Sequence, residues 1–414
     1  MRVLVVSWEY PPVVVGGLGR HVHHLAEAVA ELGHDVIVLT RQPSGTDSTT
    51  HPTTDTVVNG VRVIAVAEDP PAFDFGADMM AWTLAMGHSF VRAGLQILRD
   101  EPRPDVVHAH DWLVAHPAKA LAEYFDAPLV STLHATEAGR HSGWVAGHIN
   151  RQVHSVEWWL ANASDALITC SASMRDEVAT LFGPQLPPIT LIHNGIDVGT
   201  WSFTPRAART GPAELLFAGR LEYEKGVQDL IEALPAIRRR HPGTTVTIAG
   251  DGTQNHWLRE QAHLHGVTDA VEFAGQQDRD GLMKLMHRCD AIVLPSRYEP
   301  FGIVALEAAA TGIPLVTSTA GGLGEAVTDG VTGWTFEPFD PVGLATAVCA
   351  ALDDPEAAAA RALRGRERLD EEFTWRAIAK RTADVYREAV KQPTRPLGRP
   401  VIPMRPMPER DPMQ

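Results

Sequence analysis

Cysteine is scarce in this chain of 414 residues, limited to Cys170, Cys289 and Cys349. Three thiols without paired spacing exclude a disulfide framework and a zinc ribbon. They read as small buried side chains in a reducing compartment. Long apolar runs are also missing, and nothing approaches the roughly 18 apolar residues of a membrane span. The N-terminus has one basic residue, Arg2, then only Val3 to Val6 before Trp8 and Glu9. A secretory leader needs about 7–15 apolar residues there, so a first strand is expected, in a cytoplasmic protein with no stable membrane insertion. Positive charge is in deficit too. With 36 Lys and Arg against 51 Asp and Glu, the formal net charge is −15, which disfavours nucleic acid and anionic membranes as general partners. Neither a Gly-x-Gly-x-x-Gly dinucleotide fingerprint nor a Gly-Lys-Ser/Thr phosphate loop occurs.

What the chain does have is rhythm. Strand-length apolar runs (Val3–Ser7, Val36–Thr40, Val61–Val66, Val106–His110, Leu129–Leu133, Ala166–Cys170, Thr190–His193) alternate with helical patterns such as His21–Leu32 and Ser89–Leu98. The rhythm restarts with Leu215–Gly219, Val246–Gly250, Val271–Gly275, Ala291–Pro295 and Leu315–Ser318. It predicts an α/β protein of two doubly wound, Rossmann-like domains facing across a cleft, with ligands at the carboxyl ends of the strands. The expected division is 1–203 and 204–374, joined through a Pro- and Arg-rich linker at 200–212. An amphipathic helix over 375–391 presents Ile378, Ala379, Thr382, Val385, Tyr386 and Ala389 on one face. The Pro-rich tail 392–414 is expected to be disordered, and the polar segment Gln42–Val57 to be a mobile loop.

Three segments carry chemistry. In Leu294–Glu307 a strand ends at Pro295 and a helix opens near Gly302, placing Glu299 at a strand end and Glu307 a turn inside the helix. A helix start aimed at the cleft offers free N–H groups to a diphosphate; the alternative is a surface loop with a capping Glu. After the strand ending at Gly219, Arg220 and Lys225 leave together, a planar fork and a point charge suited to one pyrophosphate; otherwise they are two solvated cations. Between the first strand and first helix, Gly16 and Gly17 let the backbone approach a ligand closely.

Together these segments resemble the retaining glycosyltransferases of the GT-B fold, specifically the large family 4 that includes glycogen synthase-like enzymes. The shared pieces are Glu299 and Glu307 around Pro300-Phe301-Gly302, Gly219-Arg220 with Lys225-Gly226, Gly16-Gly17, and His108-Ala109-His110-Asp111-Trp112. Leu133-His134, His193-Asn194-Gly195-Ile196-Asp197 and Phe373-Thr374-Trp375 complete them. The resemblance spans roughly residues 1 to 390 and is strongest to short actinobacterial α-1,4-glucosyltransferases of glycogen and methylglucose polysaccharide synthesis. It implies that Arg220 and Lys225 hold the donor diphosphate, that Glu307 bonds the donor ribose, and that Glu299 with the N–H groups of Phe301 and Gly302 grips the sugar. His134 would lie near the anomeric centre, Gly16 and Gly17 on the phosphate side, and Ile303 and Asn194 also at the donor. Family enzymes often carry Lys before the glycine pair; Val15 stands here and removes one phosphate contact.

The implied reaction moves glucose from ADP-glucose or UDP-glucose to an α-glucan or related oligosaccharide, forming α-1,4 linkages without metal or other cofactor. Same-face attack and double displacement through Asp111 both remain open. So do mannosyl or glucosyl transfer to a lipid or small acceptor, a sugar-nucleotide epimerase and a non-catalytic binding module. Asp278-Arg279-Asp280 looks like a metal motif but sits where a helix cap is expected. His21, His23 and His24 fan around a helix, so at most two could share a metal. Trp82 and Trp144 are candidates for stacking on carbohydrate, and Trp158 and Trp159 for the core.

Overall fold

The computed structural model describes residues 1–43, 47–68, 73–141, 143, 145, 147–205 and 211–392. The first lobe runs β1 (Arg2–Val6), α1 (Gly17–Glu31), β2 (Asp35–Arg41), β3 (Thr54–Val58), β4 (Val61–Val66), α2 (Met79–Leu98) and β5 (Val106–His110). It continues α3 (Ala115–Phe125), β6 (Leu129–Leu133), α4 (Glu137–Arg140), α5 (His148–Ala163), β7 (Ala166–Thr169), α6 (Ala172–Phe182) and β8 (Ile189–Leu191). The second lobe runs β9 (Glu214–Ala218), α7 (Val227–Arg240), β10 (Thr245–Ala249), α8 (Asn255–Leu264), β11 (Val271–Gly275), α9 (Arg279–Arg288) and β12 (Ala291–Leu294). Then come α10 (Ile303–Thr311), β13 (Leu315–Ser318), α11 (Leu323–Ala326), β14 (Trp334–Phe336), α12 (Pro341–Asp353), α13 (Pro355–Glu372) and α14 (Trp375–Lys391).

The eight-stranded sheet is ordered β3-β4-β2-β1-β5-β6-β7-β8 and the six-stranded sheet β11-β10-β9-β12-β13-β14. All pairings are parallel except β3 with β4. Strands covered by helices on both faces must be apolar throughout, and β1, β5 and β6 are buried almost end to end. The strand order reverses at β1/β5 in one sheet and at β9/β12 in the other. Those reversals open a crevice at the strand carboxyl ends, and the Gly16-Gly17, His108–Trp112, Gly219–Gly226 and Leu294–Glu307 segments close or follow the four strands that form them.

The last helix settles where its pattern requires. Ile378, Ala379, Thr382, Val385, Tyr386 and Ala389 are all buried, packed with Val22, Leu25 and Val29 of α1 in a first-lobe cluster. Each large apolar side chain so covered stabilises the arrangement by about 1.5–3 kcal/mol. Helix α14, which follows the second lobe in the chain, thus crosses back onto the first.

One expectation needs correction, and one strand leaves no mark in the sequence. Thr54–Val58 within the expected mobile loop, with Val58 just beyond it, is an antiparallel edge strand. All five residues are exposed, so no apolar alternation marks them; Arg62 on β4 bonds both oxygens of Asp55 instead (2.8 and 2.7 Å). Strand β14 is only three residues long, below the length at which periodicity registers. The tail beyond 392 and linker residues 206–210 lie outside the described residues.

Candidate functional site

The turn after β1 is shaped by Glu9, which is buried. Its Oε2 accepts the N–H groups of Val15 (2.8 Å), Gly16 (3.0 Å) and Gly19 (3.3 Å). A carboxylate inside a ring of amides fixes the turn and leaves the start of α1 facing the crevice. At Gly17 a Cβ would come 3.0 Å from Ile303 Cδ1 of the second lobe. Two helix starts meet there, and a side chain at position 17 would require Ile303 to give way.

Across the crevice, α10 begins at Gly302, whose φ of 91° belongs to the left-handed region. Glu299 precedes it. Its carbonyl accepts from Gly322 N–H (2.9 Å), and its carboxylate accepts from Lys225 Nζ (2.7 Å) and Ser296 Oγ (3.2 Å). Lys225 ends a short turn after β9, which is tied to the β12 turn by Arg297 N–H to Glu224 O (2.7 Å). Arg297 is itself clamped by Asp229 at 2.6 and 2.9 Å. Arg220 leaves the same strand end but, half exposed, turns to Glu224 (3.2 Å). The two cations therefore engage different carboxylates here.

The floor of the first lobe is lined with histidine. His110 Nδ1 and His134 Nε2 are 3.0 Å apart, and the His21 ring stands 4.8 Å from that of His134. Buried Asn194 faces His21. Burial keeps all three rings neutral and takes His134 down to about 3. One nitrogen from each of the three lies within 4.8 Å of the others, and in the group His23, His24 and Glu27 a nitrogen of each histidine and a Glu27 carboxylate oxygen lie equally close. His108 is occupied elsewhere, between Tyr386 Oη (2.7 Å) and Thr132 Oγ1 (2.8 Å). Asp111 adopts φ 62°, and its Oδ1 accepts the His134 N–H at 2.7 Å. Burial raises its carboxyl to about 6, against that hydrogen bond.

Several contacts hold the lobes together. Arg20 of α1 pairs with Glu307 of α10. Tyr298 Oη donates to Glu177 (3.0 Å) and accepts from Thr136 N–H (3.3 Å). Glu325 of α11 accepts the N–H groups of Ala172 (3.0 Å) and Ser173 (3.1 Å) at the start of α6. Sequence reasoning assigned no role to Glu9, Arg20, Tyr298 or Glu325. Only their positions beside strand ends could have flagged them.

Of the weaker candidates, Asp278 caps α9 by accepting from Gly281 N–H (2.7 Å). Trp82 is buried and meets Trp8 edge-on at 6.5 Å. Trp158 corrects an expectation: it is exposed because α5 buries Val153, Glu157, Leu160 and Ala161, leaving Trp158 on the outer face. Trp159 does pack against the core. Trp144 lies outside the described residues.

Behind Asp111, Glu157 is buried with its two oxygens facing Glu137 N–H at 2.9 and 3.1 Å. Burial raises its carboxyl from 4.5 to about 9. Between those values the folded protein binds a proton that the unfolded chain has lost, so this group's contribution to stability falls as pH rises. Glu157→Gln keeps the neutral shape. From about pH 5 to about pH 9 the wild type should lose several degrees of Tm relative to the variant, read by thermal melts; parallel curves would place the proton elsewhere.

Among known families, residues 15–200 match Glycosyltransferase Family 4 and residues 202–368 match Glycosyl transferases group 1. A glycogen synthase of Mycobacterium tuberculosis is 62% identical, covering 99% of this chain and 100% of the relative. Among solved structures, sucrose-phosphate synthase from Thermosynechococcus elongatus aligns with a TM-score of 0.79 at 24% identity, covering 94% of this chain and 98% of that one. The catalytic domain of starch synthase IV from Arabidopsis thaliana, bound to ADP and acarbose, aligns at 0.72 and 20%, covering 94% and 99%. With both lobes matched in order and the crevice built from the turns described, the chain belongs to family 4 of the glycosyltransferases and has the GT-B fold.

Proposed function

We propose that this protein transfers glucose, with retention of configuration, from ADP-glucose or UDP-glucose to an α-glucan, forming α-1,4 linkages. The observation that carries the reading is the meeting of the Gly16-Gly17 turn with the start of α10, beside Lys225 and Glu299. Full-length similarity to a glycogen synthase and the ADP and acarbose bound by the starch synthase neighbour support the donor and acceptor classes.

In this reading the glycine turn and the α10 start flank the diphosphate, with Ile303 and Asn194 at the edge of the donor. Glu307 receives the ribose hydroxyls. Glu299 and the N–H groups of Phe301 and Gly302 hold the sugar. The anomeric carbon–oxygen bond breaks, Lys225 and Arg220 stabilise the charge gathering on the departing phosphate, and the acceptor hydroxyl attacks on the same face. Its proton goes to a phosphate oxygen of the leaving group. His134, with a pKa near 3, is a poor base at neutral pH, and Asp111 already spends Oδ1 on the His134 amide. Both favour this route over double displacement. His134 then serves as a neutral hydrogen-bonding partner for sugar hydroxyls.

A panel of nucleotide sugars, with and without malto-oligosaccharide, tests the assignment. Nucleotide release should require both a nucleotide glucose and the oligosaccharide, extend the latter by α-1,4 bonds, and continue unchanged in EDTA. Release that ignores every acceptor would contradict the transferase reading. Activity lost in EDTA and restored by a divalent ion would contradict its metal independence.

A further inference from the structure

We propose that Arg20 is a positioning residue for the donor: reaching from the first lobe, it holds the Glu307 carboxylate aimed at the donor ribose, so that ribose recognition depends on the lobes being closed. The inference rests on the reading of Glu307 as the ribose acceptor. Glu307 is only 2% exposed on α10, among the buried Ala305, Leu306, Ala308 and Ala309. Its Oε1 pairs with Arg20 Nη1. Its Oε2 is buried with no hydrogen-bond partner. A buried carboxylate with one bare oxygen is costly to leave as it stands, and an arriving hydroxyl supplies the missing donor. Burial pushes the Glu307 carboxyl upward and Arg20 opposes that shift. The guanidinium thus does two things: it favours the ionised form, the better acceptor, and it fixes which oxygen faces the ligand.

A purely stabilising role does not account for the arrangement. The Arg20 side chain is 43% exposed while Glu307 is buried, so the pair shields the carboxylate as well as aiming it, and the donor dependence of the Arg20 variants separates the two roles. The lobes have other fasteners, at Tyr298 and Glu325. Nor does the glycine turn need a cation at position 20, since Glu9 organises its amides. Close approach of Gly17 to Ile303 sets α1 against α10, which brings Arg20 within reach of Glu307 when the crevice is closed.

The test crosses Arg20→Ala and Arg20→Lys with donors lacking the ribose 2′- or 3′-hydroxyl, using whichever of ADP-glucose or UDP-glucose supports turnover. Arg20→Ala should raise the donor KM roughly 10- to 100-fold, as expected for a charge-assisted hydrogen bond. It should change kcat and acceptor KM far less, while Tm falls because the buried Glu307 loses its cation; Arg20→Lys should recover part of both losses. On the deoxy donor that Glu307 recognises, wild type should already be impaired and the Arg20→Ala penalty should shrink to about threefold or less, because the two changes remove one interaction. An undiminished penalty with a wild type sensitive to the deoxy donor, or an unchanged donor KM in Arg20→Ala, overturns the inference alone. A wild type indifferent to both ribose hydroxyls overturns the ribose reading of Glu307 and the inference with it.

Discussion

Lys225→Ala should lower kcat by about 10²–10³-fold, the range found when one preorganised charge-stabilising donor is removed from an active site. Lys225 and Glu299 are 16% and 18% exposed and 2.7 Å apart, so the ammonium is held in a fixed place before the donor arrives. Its removal takes away the cation facing the leaving diphosphate. It also leaves the Glu299 carboxylate with Ser296 as its remaining side-chain donor. The two effects separate in the double variant Lys225→Ala with Glu299→Gln. Any stability lost in the single variant should return once the uncompensated charge is gone, whereas kcat should stay low. Near-normal turnover in Lys225→Ala would remove this residue from the mechanism.

A comparable loss should follow from Gly226→Ala, which deletes no functional group. Gly226 has φ 67°, where a side chain costs about 1–2 kcal/mol. A Cβ there would lie 1.9 Å from the Pro295 carbonyl oxygen. Relief requires a shift on the order of 1 Å between the β9 turn carrying Lys225 and the β12 turn carrying Glu299. Displacement of that size can cost about 10²-fold in rate. Gly330→Ala is the matched control, with φ 69° and nothing within 4 Å of the added carbon. Its Tm should fall by the backbone cost alone and its kcat should hold. Equal rates in the two variants would mean that turn spacing does not govern catalysis.

Much of this was readable before any coordinates. Parallel strands buried on both faces write themselves as apolar runs, so twelve of the fourteen strands among the described residues are legible as such, and Thr54–Val58 and Trp334–Phe336 are the two omissions. Both omissions have the same cause: an exposed edge and a three-residue strand leave no period to detect. The candidate residues Gly17, Lys225 and Glu299 were legible from their places next to strand ends, and the structure puts Gly17 against Ile303 and Lys225 against Glu299. Arg20 and Glu325 were not legible, because their partners are 287 and 132 to 153 residues away in the chain. Which helix starts would face each other depends on lobe packing, and no local spacing encodes it. The separate partners of Arg220 and Lys225 were hidden for a related reason. Glu224 and Glu299 compete for these cations, and only geometry decides the pairing.

The central claim is that a nucleotide diphosphate sits between the glycine turn and the second lobe's cations. Its most direct test is a crystal structure of the full chain with ADP or UDP. The account predicts phosphate oxygens within hydrogen-bonding distance of Lys225 Nζ and the Arg220 guanidinium, with Arg220 swung away from Glu224 and the ribose against Glu307. A diphosphate bound elsewhere, with Lys225 still closed on Glu299 and Arg220 on Glu224, would contradict it.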